Sequence, residues 1–321
     1  MKDRAETLNA WLLQFFPQFS LQLMAHDASF RRYHRVRAED ECFVVMDAPP
    51  EKERVHVFVE LALQLDAANI LVPKIFASDA QLGFVLMSDF GDEVFYRSVL
   101  EQPKQSLYED ALQTLLKMQT SPLLNTLPLA HFTQNIITQE LHLWDEWFLQ
   151  KFLKTKSRYD DLEDFFDCLV DGLIEQPFVF MHRDFHSKNL MQLSAGNLGV
   201  LDFQDAFLGP VTYDVVSLLR DCYVSLPPQM VQTLALNFKA QQPLLSVYSD
   251  AQFMKWFDYT GLQRHLKALM TFTRKAIRDG HENYLQYLPR TSQYIVNTCD
   301  KYPELNAFSR YFKKQVALCV A

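Results

Sequence analysis

Apolar positions recur along this chain with two different periods, and the change from one to the other falls near residue 90. Before that point, short runs of aromatic and aliphatic residues alternate with polar links, at 21–24, 30–36, 42–46, 74–77 and 83–87. Runs of this length, bounded by polar, Gly or Pro positions, predict strands. The links at 26–29 and 38–41 are polar enough for hairpins. Two helices accompany the strands. One is expected over 3–16, with Leu8, Trp11, Leu12 and Phe15 on one face and Pro17 ending it. The other is expected over 51–68.

Beyond residue 90 the spacing becomes helical. Leu107, Ala111, Leu112, Leu115 and Met118 define 106–118, and 132–153 places Leu141, Trp144 and Phe148 on a shared face. The same spacing recurs at 161–174, 230–240, 253–277, 284–299 and 305–320. Short apolar runs at 178–180, 190–193 and 198–201 interrupt it, and Ser194-Ala195-Gly196-Asn197 joins the last two into a predicted hairpin. The pattern predicts an α+β fold in two lobes. Residues 1–90 would form a small antiparallel sheet with a packed helix, and residues 91–321 a mainly helical lobe.

Composition narrows the class. A chain of 321 residues, 49% hydrophobic and 22% charged, can bury a sizeable core. A net charge of −8 argues against nucleic acid or an anionic membrane as partner. An anionic ligand would need a local positive pocket or a divalent cation. The five cysteines are scattered and form no C-x-x-C pair, which suggests neither a disulfide framework nor structural zinc and fits a reducing cytoplasm. Lys2, Asp3, Arg4 and Glu6 leave no apolar stretch for a signal peptide, and no run reaches membrane-spanning length.

Candidate chemistry concentrates at 181–189, M-H-R-D-F-H-S-K-N, and at 200–203, V-L-D-F. The predicted hairpin would bring Asn189 and Asp202 together. Phosphoryl transfer from a nucleotide needs one carboxylate to orient and deprotonate a hydroxyl. It also needs oxygen ligands, here an amide and a second carboxylate, to hold Mg²⁺ on the triphosphate. A rival reading takes His182, Asp184 and His186 as an H-x-D-x-H ligand set for a hydrolytic zinc or iron. No second ligand cluster stands out among the nine histidines.

H-R-D-F-H-S-K-N followed by L-D-F resembles the catalytic loop and metal-binding D-F of kinase-like phosphotransferases, in the aminoglycoside phosphotransferase and choline kinase branch. S-F-R-R-Y-H-R from Ser29, V-V-M-D-A-P-P-E from Val44, L-D-F-Q-D-A-F-L-G-P-V-T-Y-D from Leu201 and Q-R-H-L-K from Gln263 carry a closer resemblance. They are similar to the bacterial kinases of cell-wall recycling that phosphorylate the anomeric hydroxyl of N-acetylmuramate and N-acetylglucosamine. The resemblance implies a protein-kinase-like fold, ATP as co-substrate, Mg²⁺, and no obligatory protein partner. It makes Asp184 the base and Lys188 a stabiliser of the transferring group, with Asn189 and Asp202 on the metal. Ser29, Phe30 and Arg31 would meet the nucleotide from the first link, and Met87 and Asp89 from a hinge at 88–91. His186, Asp205, Arg264 and His265 would face the acceptor. Asp214 would tie the loop to the helical lobe, with His182 bracing it.

The chain also departs from that pattern. Its third strand reads Val44-Val45-Met46-Asp47 where the family usually has a phosphate-binding lysine, and the partner glutamate's position falls on Phe58. Glu53 and Glu60 are the carboxylates nearby. Losing both partners together is coherent, because one buried charge left alone is costly. Three functions therefore stay open: an amino-sugar kinase, an aminoglycoside- or choline-type amino-alcohol kinase, and a nucleotide-binding regulator without catalysis. Arg31, Arg32, His34 and Arg35 are expected mostly on a solvated strand face. Arg264, His265, Lys267, Arg274, Lys275 and Arg278 would either bind a carboxylate such as a lactyl group or form an outer helical face. Trp144 and Trp147 would either stack on a sugar or fill the core.

Overall fold

The computed structural model describes residues 4–24, 30–100, 103–155, 159–193 and 197–320. The chain divides into two compact units, Met1–Phe95 with Asn189–Gln204, and Tyr96–Lys188 with Asp205–Ala321.

In the first unit, α1 (Arg4–Leu12) precedes β1 (Ser20–Leu23), β2 (Arg32–Ala38) and β3 (Glu41–Asp47); α2 (Val55–Ala67) leads to β4 (Ile75–Asp79) and β5 (Phe84–Ser88). The strands form one antiparallel sheet in the order β1-β2-β3-β5-β4, with Val45 opposite His34 and Val44 opposite Met87. α1 lays Leu8, Trp11 and Leu12 on Val36, Val45, Phe84 and Leu86. It stops at Leu12, short of the expected residue 16, so Phe15 falls outside the helix and stays 42% exposed. α2 starts at Val55 rather than 51, because Lys52 and Glu53 donate their N–H groups to the Pro49 carbonyl in a turn. Gly83 has φ +76, a Cβ there would overlap the Ala48 carbonyl oxygen, and the Gly83 carbonyl accepts from Ala48 N at 2.8 Å. The expected hairpin forms from Leu190–Gln192 and Leu198–Val200, with Leu190 opposite Val200. It joins the first unit through Val200 N to Leu71 O and Gln192 N to Glu93 O.

β2 is less solvated than its charge suggests. Arg35 donates to Asp89 and Asp92, and Arg31 donates to Glu53 at 2.9 Å. Arg32 remains exposed.

The second unit packs helices around Asp250–Asp279, which Ser249 caps at its start and Gly280, at φ +73, ends. The helix expected over 132–153 is α-helical only over Gln134–Trp144 and then widens into a π-helix, Asp145–Phe152. That widening keeps Leu141, Trp144 and Phe148 all buried, among Phe166, Phe308 and Phe312. Trp144 is fully buried and therefore core; Trp147 is half-buried with Lys151 over its ring. The segment 284–299 begins as a 3-10 helix, Glu282–Tyr287, before Leu288–Cys299. Phe178–Met181 and Phe207–Pro210 make a two-stranded antiparallel pair within this unit. Replacing Trp144 with Ala is expected to cost about 3–5 kcal/mol of stability, read from denaturant unfolding.

Candidate active site

The loop that follows Phe178–Met181 is held from several sides. Asp214, fully buried, accepts hydrogen bonds from the backbone N–H of His182 (2.7 Å) and of Arg183 (3.0 Å). Arg183 sits at φ +79, a conformation costly for a residue with a side chain. Its carbonyl accepts from Arg264 Nη1 at 2.8 Å and its guanidinium donates to Glu140 at 2.8 Å, so the surroundings enforce the turn. His182 Nδ1 accepts from Asp184 N at 3.3 Å, and Asp221 accepts from both the N–H and hydroxyl of Ser187. These contacts are the bracing expected of His182 and Asp214.

Asp184 lies half-buried in a positive setting. Burial alone would raise its pKa, but Lys267, His186, Arg264 and Arg183 outweigh it and hold the carboxyl down at about 2. Burial likewise opposes ionisation of Glu140, and Lys267 and Arg183 overcome it. Lys267 Nζ lies 3.3 Å from Glu140, and Gln263 donates to the other oxygen at 2.7 Å. Burial pushes Asp214 up to about 7 despite its two N–H donors.

Arg264, His265 and Lys267 thus point inward, which corrects the outer-face alternative for these three. His265 is 2% exposed, bonded to the Arg220 carbonyl at 3.0 Å and stacked on Tyr294. Burial lowers its pKa to about 3, so it is a neutral core brace rather than the expected acceptor contact. Arg264 is committed to the Arg183 carbonyl and to Ser217. His186 sets its ring edge-on to Tyr223, and Lys188 Nζ lies 3.7 Å from the centre of the Tyr223 ring and 5.0 Å from that of Tyr287. Asp205 is exposed.

In the first unit the hairpin brings Asn189 and Asp202 together as expected, with Asn189 Nδ2 3.4 Å from Asp202 Oδ2. Leu201 N donates to the Asn189 carbonyl at 2.9 Å, and Gln204 donates to Asp202 Oδ1 at 2.7 Å. Asp202 itself takes φ +61. Phe203 beside it is buried and stacks on Phe58, ring centres 4.9 Å apart and planes 21° from parallel. Phe58 therefore fills the glutamate's expected place with an aromatic contact. Glu53 pairs with Arg31, and Glu60 is exposed.

The nucleotide-side residues are less concentrated. Met87 lies inside the sheet, opposite both Val44 and Ile75, so its backbone runs along the ladder. Asp89 holds Arg35 and accepts from Gly91 N at 2.8 Å, a tight-turn role for its side chain. Phe30 is 62% exposed beneath Lys52, and Ser29 lies outside the described residues. Sequence reasoning did not single out Asp221, nor the pairing of Glu140 with Arg183 and Lys267; both join residues far apart in the chain.

An antiparallel sheet with a packed helix, a helical unit bearing H-R-D-F-H-S-K-N, and a hairpin ending on Asp202 define a kinase-like phosphotransferase fold. The model for the phosphotransferase enzyme family matches residues 20–243, and the chain belongs to that family. It is 37% identical to an N-acetylmuramate/N-acetylglucosamine kinase of Pseudomonas aeruginosa, over 94% of each chain. The identity is 35% to a kinase of the same name from Neisseria meningitidis, over 94% of this chain and 93% of that one. Among solved structures, a choline kinase of Streptococcus pneumoniae superposes with TM-score 0.64 at 11% identity, covering 91% of this chain and 99% of that one. An ADP-bound aminoglycoside phosphotransferase gives 0.60 at 14%, covering 90% and 97%.

Two measurements probe these contacts. Phe58→Glu, which puts an unpaired carboxylate where Phe58 stacks on Phe203, is expected to destabilise the protein by about 3–5 kcal/mol in chemical denaturation. For Asp184 the sign follows from its depressed pKa: the carboxylate stays ionised until pH falls to about 2. Lys267→Met removes the strongest attraction, so the pKa moves up towards the ordinary Asp value of about 4 or beyond. An acid limb absent from the parent's pH–rate profile above about pH 4 is then expected to enter that range.

Proposed function

We propose that the chain is an ATP-dependent kinase that transfers the γ-phosphoryl group to the anomeric hydroxyl of N-acetylmuramate or N-acetylglucosamine. The observation that carries this reading is the 37% identity, over 94% of both chains, to a kinase named for those two sugars. The charge around Asp184 supports it against the amino-alcohol alternative. A cationic acceptor would meet Arg183, Arg264 and Lys267 there, whereas a neutral or anionic sugar would not be repelled.

Asp184 accepts a hydrogen bond from the acceptor hydroxyl and fixes one oxygen lone pair towards phosphorus. With a pKa of about 2 it is a weak base, so the proton passes to it late, as the new P–O bond forms. The bond to the ADP oxygen breaks as that bond forms, and charge spreads over the phosphoryl oxygens. Asn189 and Asp202 offer hard oxygen donors side by side, and a half-turn of the Asn189 amide presents its oxygen in place of nitrogen. One carboxylate and one amide suit Mg²⁺, which takes few protein ligands and fills its sphere with phosphate oxygens and water. Such a cation would neutralise charge on the triphosphate. Cys42, Cys168, Cys222 and Cys299 are free thiols, which fits the reducing, ATP-supplied cytoplasm this reading calls for.

Phosphorylation by ATP, followed over amino sugars, aminoglycosides and choline, tests the proposal. Turnover is expected on the amino sugars, with loss when EDTA is added. Asp184→Asn should lower kcat by about 10²–10⁴-fold while nucleotide still raises the melting temperature. Turnover on choline alone, or nucleotide binding with no turnover on any acceptor, would refute it.

A further inference from the structure

The basic residues of Asp250–Asp279 fall into two groups, those matched inside the protein and those left over. Arg264 and Lys267 serve Asp184, Glu140 and the Arg183 carbonyl. Arg278 is paired with its neighbour Asp279. Arg274 and Lys275 remain. Among the described residues neither takes part in an ion pair. Arg274 Nε is buried and has no hydrogen-bond partner. Lys275 Nζ donates to a neutral group, the Tyr284 hydroxyl at 3.0 Å, and lies 4.3 Å from the centre of that ring.

Position gives these two cations a direction. At 3.6 residues per turn, Arg264, Lys267, Thr271 and Lys275 share one stripe of the helix, with Arg274 beside it. All five are half-buried, whereas Leu266, Leu269, Met270 and Thr273 on the other faces are buried. The step from Lys267 to Arg274 is about 10 Å along the axis. One end of the stripe therefore borders Asp184, and the other carries two unmatched positive groups. Aromatic rings line the way back: Tyr284 faces Phe272, Phe272 and Tyr287 face Tyr223, and Tyr223 meets His186 of the loop.

An acceptor with its hydroxyl at Asp184 would have to extend along this strip to bring a second group near Arg274 and Lys275. We propose that Arg274 and Lys275 bind a carboxylate on the acceptor, and so favour the lactyl-bearing N-acetylmuramate over N-acetylglucosamine. The Arg274 guanidinium, through its Nη groups, and the Lys275 ammonium each donate a charge-assisted hydrogen bond to the carboxylate, a contact that an acid-free sugar cannot make. The inference rests on the amino-sugar reading above.

The test compares kcat/KM for N-acetylmuramate, its methyl ester and N-acetylglucosamine in Arg274→Met, Lys275→Met and Lys275→Arg. Each Met variant is expected to lose about 10- to 100-fold on N-acetylmuramate, mostly through KM. Turnover of N-acetylglucosamine and of the ester should stay within about threefold of the parent, which also shows that the variants fold. Lys275→Arg should retain most of the preference. Equal losses on all three sugars, or no loss on the acid, would overturn the assignment while leaving the kinase reading intact. A parent enzyme that phosphorylates neither sugar would overturn both.

Discussion

The functional half of this molecule depends on one buried carboxylate. Asp214 accepts the N–H groups of two successive loop residues, and without it the turn at Arg183 would have two backbone donors facing a dry interior. The turn also needs a positive φ at Arg183, which no local propensity favours. Asp214 from one side, Arg264 on the carbonyl and Glu140 on the guanidinium supply what local sequence cannot. Asp184, two positions beyond His182 and the proposed base, takes its orientation from that frame. Serine and aspartate repeat the arrangement a little further on, where Asp221 takes both donors of Ser187.

Charge then decides what Asp184 can do. Three cations reach it, and Glu140 takes up part of the charge of two of them. The arrangement keeps a half-buried Asp ionised against its desolvation, which a single ion pair would do less securely. It also makes the group poorly basic. In the proposed role such a carboxylate would work through alignment, with proton transfer following the main bond change.

The first unit has an aromatic contact where the family resemblance implies an ion pair. Phe58 stacks on Phe203, next to the exposed Asp202, at the position where the resemblance implies a glutamate. A buried stack involves no desolvation of charge and tolerates changes of ionic strength, so it positions the residue before it without electrostatics. The positive φ of Asp202 and its bond from Gln204 add a local restraint of the same kind.

How much of this could be read from the chain follows from the range of the interactions involved. Strand and helix periods, the hairpin after Asn189 and the capped long helix depend on neighbours within a few positions, and they were legible. So was the approach of Asn189 to Asp202, because the short hairpin between them fixes it. Local propensity misjudged the turn at Pro49, the early end of α1 and the π-helix after Trp144, where packing rather than period sets the boundary. The basic residues of the long helix show the limit most clearly. Sequence supplied six positive side chains in a row of turns; only the tertiary structure sorted them. It set Arg264 on the Arg183 carbonyl and Ser217, turned Lys267 onto Glu140, sealed His265 in the core and left Arg274 and Lys275 without an ion pair, because a buried charge takes its partner from a distant segment that periodicity does not encode.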